Sequence, residues 1–325
     1  MRNASIDQLI TWVRGRERGD DDEPAHVALA GQRSRNVGER AIALFFRLCG
    51  YLSILTTVGI VFILFEQAFE FFQAQSFVDF ITGTEWTAAF DREYGVLPLV
   101  SATLLISAIA MLIAIPFGLG SAIYLAEYAR PSVRAIIKPT LEVLAGIPTI
   151  VYGFWALTFL TPDVLSWIGI DVRPFNALAA GIAVGIMILP MVASLSDDAI
   201  RSVPMSLREG AYAMAATRFE VSTQVVVPAA LSGITASAIL ALSRAIGETM
   251  IVAVAAGSRA RLSADPRLDM QTMTAFIVQL VGGEAPRGTT RYLSLFAVGA
   301  LLFIMTLALN IVARWVVRKF REVYE

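Results

Sequence analysis

Arg244 and Glu248 are the residues of this chain whose types and spacing could do chemistry. Both lie in the run 229–256, which is otherwise almost entirely apolar. Arg244 stands fifteen residues into this run, which is about 22 Å at a helical rise of about 1.5 Å per residue. A charge near the centre of a bilayer costs at least about 2.5–3.5 kcal/mol, so such residues usually line a bundle interior or a water-filled path.

The spacing of four predicts that Arg244 and Glu248 share a helix face and can pair. In one interpretation they neutralise each other and hold the bundle together. In the other they face a translocation path, where the planar guanidinium offers an oxyanion two parallel charge-assisted hydrogen bonds. Glu248 would then moderate the attraction so that the anion is passed on. Gly247 would allow close approach, and Ser243 and Thr249 add hydroxyls.

The composition predicts that these residues are carried by membrane-spanning helices. Hydrophobic residues make up 56% of the 325 residues, charged residues make up 16%, and the mean hydropathy is +0.66. Runs of about 20 apolar residues can cross a bilayer, and runs of this length are helices because only helices and closed barrels satisfy their backbone in lipid. The predicted spans are about 44–65, 97–125, 140–160, 177–195, 229–256 and 293–315.

The distribution of Arg and Lys predicts the orientation of these spans. Most of the basic residues fall in the first 47 residues, in the connections at 130–138 and 196–228, and after residue 314. The bias predicts that both termini and the 196–228 loop are cytoplasmic. Residues 1–40 are polar and predict a cytoplasmic tail, which is either a solvated segment or carries a short amphipathic helix at residues 6–13.

The loop 209–228 is longer than a simple connection needs, and its residues follow a definite pattern. Loops of this kind often carry function. Ser206 and Glu209 have the spacing of a capping box, and Pro228 closes the segment. The pattern resembles the EAA loop of ABC-transporter permeases, which docks on a cytoplasmic ATPase; the alternative is an ordinary amphipathic connecting helix. The matching residues are Glu209, Ala211, Val225, Val227 and Pro228, whereas Gly210 and Ala215 depart from the pattern by replacing an Ala and a Gly, and Arg208 precedes it.

Four further segments are similar to the C-type permease subunit of phosphate-specific (Pst) ABC transporters. They are SRAIGETMIVAVAAG, YGVLPLVSATLLIS, IPFGLGSAIYLAEYA and LEVLAGIPTIVYGFWAL, and the resemblance covers residues from about 40 onward. It implies an all-α, polytopic membrane protein with about six transmembrane helices and the type I ABC importer permease (MetI-like) fold. It also implies that Arg244 and Glu248 take part in phosphate passage in the bacterial inner membrane.

The resemblance further implies that the chain is half of an ATP-driven importer and not itself an enzyme. The implied partners are a homologous A-type permease subunit, a cytoplasmic ATPase dimer, an extracytoplasmic phosphate-binding protein, phosphate and the lipid bilayer. The chain has only Lys138 and Lys319, and neither follows a Gly, so it lacks a phosphate-binding P-loop. ATP and Mg are therefore expected on the ATPase, with no cofactor, metal, catalytic residue or nucleic acid on this chain.

Gly146 and Pro148 interrupt the third predicted span near its start, because proline lacks a backbone N–H and kinks a helix. They are candidates either for a gating hinge or for simple packing.

Three other functions stay open. The chain could be an ABC permease for another oxyanion, such as sulfate or molybdate. It could be an ion-gradient-driven carrier, although such carriers usually contain inverted repeats and none is visible. An intramembrane enzyme would need a nucleophile–base pair or metal ligands in the spans, and neither is visible.

Overall fold

The computed structural model describes residues 25–87, 93–283 and 286–320, with side chains described between residues 39 and 317. The described residues are mostly helical, and their one β-bridge joins Trp86 to Tyr94. The chain divides into two units after Phe62. The amphipathic helix predicted at residues 6–13 lies outside the described residues.

The helices follow one another along the chain, with longer connections before Leu97, Ala177 and Met273. Their bounds are α1 Ala25–Ala74, α2 Phe77–Thr82, α3 Leu97–Ile123, α4 Pro131–Ala145, α5 Thr149–Trp155, α6 Ala177–Arg201, α7 Met205–Ala213, α8 Arg218–Glu220, α9 Val227–Ala229, α10 Leu231–Ile246, α11 Met250–Ala255, α12 Met273–Gly282 and α13 Thr290–Phe320. Three π-helical segments extend them, namely Tyr124–Tyr128 after α3, Ala156–Leu165 after α5 and Val221–Val226 between α8 and α9.

Four helices are long and apolar enough to cross a membrane, at Glu39–Ala74, Leu97–Tyr128, Ala177–Arg201 and Thr290–Val317. Two bent pairs raise the number to six if each pair counts as one span: Pro131–Ala145 with Thr149–Leu165, and Arg218–Ala229 with Leu231–Ile246. The break predicted at Gly146 and Pro148 within the span 140–160 is confirmed, whereas the run 229–256 is divided at residues 247–249 into α10 and α11, which was not predicted.

The second unit is built around α3 and α6, which pack along most of their length. Small residues let the two backbones approach. A β-carbon on Gly181 would lie 2.7 Å from Cβ of Ile109, and one on Gly185 would lie 2.9 Å from the carbonyl oxygen of Ala110. Gly118 on α3 packs in the same way against Val192. These contacts make α3 and α6 a rigid frame for α10 and α11.

A separate aromatic cluster lies beside this frame in the same unit. Phe71, Phe80, Trp86, Tyr94 and Phe276 are all buried. Trp86 meets Phe276 edge to face, with ring centroids 4.9 Å apart. Such edge-to-face pairs add to the burial energy and hold a definite geometry. The cluster therefore anchors the 83–87 segment against α12.

In the first unit, the part of α1 from residue 39 to residue 62 is a regular helix with exposed apolar side chains. Its composition suits a lipid-facing helix.

Candidate translocation and coupling sites

The backbone is interrupted at the predicted translocation residues. Helix α10 ends at Ile246, Gly247 follows as its C-cap, and α11 begins only at Met250. Arg244 therefore lies in the last turn of α10 and not in the middle of a helix. Non-helical backbone at membrane depth is tolerated only where it is buried in protein or lines a water-filled cavity. The break at 247–249 thus marks a special position in the bundle.

Arg244 and Glu248 do not pair, and this part of the prediction is wrong. No ion pair within 4.0 Å joins them in the described structure. The spacing argument assumed a continuous helix, but the chain leaves helical geometry at Gly247, so residues four apart no longer share a face. The two side chains instead make different contacts.

Glu248 is buried, with 7% of its surface exposed. Its Oε1 accepts hydrogen bonds from the backbone N–H groups of Met250 (3.1 Å) and Ile251 (3.3 Å). The carboxylate thus satisfies two of the free donors at the start of α11. Thr274 Oγ1 donates to the carbonyl oxygen of Glu248 at 2.6 Å, which ties the break to α12.

Arg244 is exposed in this chain, and its nearest polar contact is Nε to Sδ of Met187 at 3.4 Å. Within the described residues its guanidinium has no carboxylate partner. Ser243 Oγ lies 3.5 Å from Oδ1 of Asn310, and Thr249 Oγ1 donates to the carbonyl oxygen of Gly247 at 3.1 Å. The result is an uncompensated cation beside a backbone break, which could bind an oxyanion through two N–H groups. No local pattern predicted the contacts of Met187 and Asn310.

The coupling loop, residues 202–228, consists of α7, a tight turn at Ala215, and the segment that begins with α8. The predicted capping box at Ser206 and Glu209 is wrong, because Pro204 is the N-cap of α7 and makes no side-chain hydrogen bond there. A capping box occurs further on: Thr217 accepts from the N–H of Glu220, and the Glu220 carboxylate accepts from the N–H of Thr217 at 2.7 Å.

Ala215 occupies the turn with φ of 62° and is the only non-glycine residue of the described chain in the left-handed region. An L-residue pays roughly 1–2 kcal/mol there because its β-carbon crowds the backbone. The sharp turn is therefore retained although glycine is missing, and the cost is stored as local strain.

Arg208 points into the protein. It lies 3.1 Å from Glu127 Oε1 and donates to the carbonyl oxygens of Val203 and Ile200, the latter at 2.9 Å. Both charged side chains are nearly buried, at 12% and 9% exposure. Arg208 thus joins the loop to the C-terminal end of α6 and to the π-helical extension of α3.

The opposite side of the loop is exposed. Glu209, Gly210 and Pro228 are exposed, and Ala211 is half-buried. Large apolar side chains share this exposure: Met205, Tyr212, Met214 and Phe219. Clustered exposed apolar side chains beside charged ones are typical of a surface that binds a partner. Sequence reasoning missed these four side chains by treating the loop as a polar segment, and their large apolar type in a connecting loop is the signal that indicates them.

The hinge candidates coincide with a bend. Gly146 is the C-cap of α4, Pro148 is the N-cap of α5, and the helices on either side meet at 87°. Proline at this position supplies the break, because it cannot donate to the preceding turn.

A buried carboxylate ties α4 to the end of α6. Asp197 is 1% exposed and lies 2.7 Å from Arg134, 3.7 Å from Lys138 and 3.6 Å from Arg201. Asp198, the next residue, is 58% exposed and pairs with Lys138 at 2.9 Å. The two aspartates are adjacent in the sequence, but the structure gives them different environments.

Comparisons with known proteins agree on one family. Residues 114–322 match the family described as binding-protein-dependent transport system inner membrane component. A probable ABC transporter permease protein YqgH of Bacillus subtilis is 31% identical over 88% of this chain and 93% of its own length. A phosphate transport system permease protein PstC of Xylella fastidiosa (strain Temecula1) is 35% identical over 73% of this chain and 78% of its own length.

Solved structures show the same fold. A bacterial ABC transporter involved in import of the acidic polysaccharide alginate is 17% identical, covers 89% of this chain and 100% of its own, and has a TM-score of 0.63. An inward-facing MetNI methionine ABC transporter gives a TM-score of 0.53 at 18% identity, over 70% of this chain and 94% of its own. Because the family match spans more than half of the sequence, the chain belongs to the inner membrane components of binding-protein-dependent transport systems, which are multi-pass transport permeases and not enzymes.

Proposed function

We propose that this chain is the permease subunit of an ATP-driven phosphate importer and forms half of the translocation path. The observation that carries the proposal is the exposed guanidinium of Arg244, which has no carboxylate partner in the described structure and lies at a backbone break. A planar, permanently charged fork suits a tetrahedral oxyanion. Several relatives at 30–36% identity are named phosphate transport system permease protein PstC, which supports phosphate as the anion.

Glu248 has a positioning role in this proposal. Because its carboxylate holds the start of α11, it fixes the break without neutralising Arg244. The substrate path then comprises Arg244 and Glu248 with Ser243, Gly247 and Thr249 at the break.

Coupling to ATP is proposed to occur through the exposed side of the 202–228 loop. A separate cytoplasmic ATPase dimer, which binds ATP and Mg, would contact Glu209, Gly210 and the apolar side chains around Tyr212 and Met214. The exposure of these residues supports this assignment. Arg208 faces away from that surface and would carry the motion of the loop into α3 and α6.

The basic residues around the loop and both ends of the chain support an arrangement in the bacterial inner membrane with both termini cytoplasmic. Residues 1–40 would form a cytoplasmic tail, and residues 41–325 the permease domain. A homologous A-type permease subunit would complete the pore, and an extracytoplasmic phosphate-binding protein would deliver the anion. The bend at Gly146 and Pro148 would serve as a hinge during alternating access.

The test is labelled-phosphate uptake in phosphate-starved cells that lack this gene. Cells complemented with the wild type should recover uptake that excess sulfate does not inhibit. Arg244→Gln at equal membrane level should not restore it, whereas Arg314→Gln, which replaces an exposed arginine that contacts only the backbone of its own helix among the described residues, should.

The rival functions give different outcomes. Inhibition by sulfate or molybdate would indicate another oxyanion, and uptake that follows the proton gradient and ignores ATP would indicate an ion-gradient carrier. Normal uptake by Arg244→Gln would remove the physical support for an anion path at the break.

A further inference from the structure

A second basic site lies apart from Arg244, at the end of the bundle where α11 leads into the 257–272 segment. It is a cavity of about 460 Å³. Its lining includes Ser258, Arg259, Arg261, Gln271, Gln279 and Arg291. Three of them are arginines, and no carboxylate belongs to this described lining.

The backbone that carries the first two arginines is held in place locally. Gly257 has φ of 102°, a conformation that favours glycine, and turns the chain at the end of α11. The N–H of Met270 donates to the carbonyl of Ala256, and the N–H of Gln271 donates to that of Arg259, both at 2.9 Å. These hydrogen bonds hold the 256–261 segment against the residues that precede α12, so the backbone positions of Arg259 and Arg261 are fixed.

Among the described ion pairs of the cavity arginines, a single carboxylate, that of Asp269, is shared by several guanidinium groups. Asp269 makes its short contact, 2.7 Å, with Arg173 and lies 3.7 Å from both Arg259 and Arg261. Arg291 has no ion pair with any described residue. Three guanidinium groups therefore share a concave, partly enclosed site, where the protein concentrates a positive potential.

Neutral donors complete the site. Gln271 Nε2 donates to Gln279 Oε1, and Gln279 Nε2 donates to Ser258 Oγ, both at 2.6 Å. Because Ser258 accepts from Gln279, its own hydroxyl proton is left to donate elsewhere. Trp86 is 6% exposed, and its buried Nε1 has no hydrogen-bond partner among the described residues. Because this atom is buried, it is not available to a ligand in the cavity, and the accessible donors there are Ser258 and the three arginines.

We propose that this cavity binds a tetrahedral inorganic oxyanion, such as phosphate, as an entry site that precedes Arg244. Three cationic forks and a hydroxyl match an anion with several acceptor oxygens better than a single carboxylate. The cavity is linked to the break by α11 itself and by the hydrogen bond of Thr274 to Glu248. The binding stands on this geometry alone, whereas its place before Arg244 rests on the proposed function and orientation.

The experiment is equilibrium dialysis of labelled inorganic phosphate against the purified transporter in nanodiscs, without a binding protein. All variants carry Arg244→Gln, which removes binding at the break. The test variant adds Arg261→Gln with Arg291→Gln, and the matched control adds Arg267→Gln, because Arg267 pairs with Asp265 at 2.8 Å and does not line the cavity. Each lost charge-assisted contact should raise the Kd at least about tenfold, whereas the control should stay within about twofold of its parent.

Three outcomes would overturn the proposal: unchanged affinity in the test variant, an equal loss in the Arg267→Gln control, or no binding once Arg244 is replaced. If the double variant does not fold, Arg259→Gln replaces it, because this side chain is 70% exposed and its loss leaves the core intact. A failed uptake assay with the wild type would sink the proposed function and leave the dialysis result standing. Normal uptake with unchanged dialysis would sink only the entry site.

Discussion

The guanidinium of Arg208 lies 3.1 Å from the carboxylate of Glu127, although 81 residues separate them in the chain. The same side chain donates to the carbonyl of Ile200 at 2.9 Å. One residue of the coupling loop thus contacts the ends of two helices, α6 and the extension of α3. A displacement of the loop can therefore be transmitted to the packed helices α3 and α6 through this contact.

Replacing either partner should therefore destabilise the protein and reduce transport. Arg208→Gln or Glu127→Gln leaves a nearly buried charge unpaired, for which the cost approaches about 3–5 kcal/mol. The melting temperature of the purified permease and phosphate uptake should both fall. Arg218→Gln, in the same loop but without an ion pair, should change stability by less than about 0.5 kcal/mol. If Arg208→Gln lowers stability no more than Arg218→Gln does, the contact between Arg208 and Glu127 does not stabilise the protein.

Ala215→Gly should stabilise the coupling loop. Glycine removes the cost of about 1–2 kcal/mol that alanine has in the left-handed conformation. Glycine also loses more backbone entropy on folding, which reduces this gain by about 0.5–1 kcal/mol. A net gain of about 0.5–1 kcal/mol is expected in chemical unfolding. Ala211→Gly, inside α7, is the matched control and should destabilise by about 1 kcal/mol. A loss of stability in both variants would contradict the strain assigned to Ala215.

Asp197 and Asp198 are adjacent, and their substitutions should differ sharply. Asp197→Asn removes the carboxylate that three basic side chains share in a buried site. A loss of about 1–3 kcal/mol in the free energy of unfolding is expected, because the mostly buried Arg134 loses its acceptor, whereas Lys138 and Arg201 are 31% and 50% exposed and can be hydrated. Asp198→Asn affects an exposed pair worth at most about 1 kcal/mol. Equal losses of stability in the two variants would show that the burial of Asp197 does not determine the size of the effect.

Substitutions of Glu248 should separate its structural role from its charge. Glu248→Gln keeps the side-chain oxygen that accepts from Met250 and Ile251, so stability should be close to that of the wild type. Glu248→Ala leaves these N–H groups unpaired and should cost about 1–3 kcal/mol. Uptake lost in a stable Glu248→Gln would mean that transport needs the negative charge. A Glu248→Ala variant as stable as the wild type would refute the capping role.

Much of the fold follows from local patterns. The apolar runs predicted the long helices, because about 20 consecutive apolar residues cross a bilayer as one helix. Gly146 and Pro148 also predicted the break within 140–160, but hydropathy missed the break in 229–256, where the apolar run continues across Gly247 and the helix does not. Hydropathy measures the preference for lipid and is insensitive to backbone geometry, so it joins helices that a bend separates.

The sequence by itself determined a helical membrane protein with a charged Arg244 in an apolar run, because composition, charge bias and residue spacing are local properties. The loop at 209–228 added a resemblance to ABC-transporter permeases. Only the tertiary structure decided which groups meet. It separated Arg244 from Glu248, turned Arg208 inward to Glu127, and placed Arg291 in the same cavity as Arg259 and Arg261. These relationships depend on packing between distant segments, which no local spacing encodes.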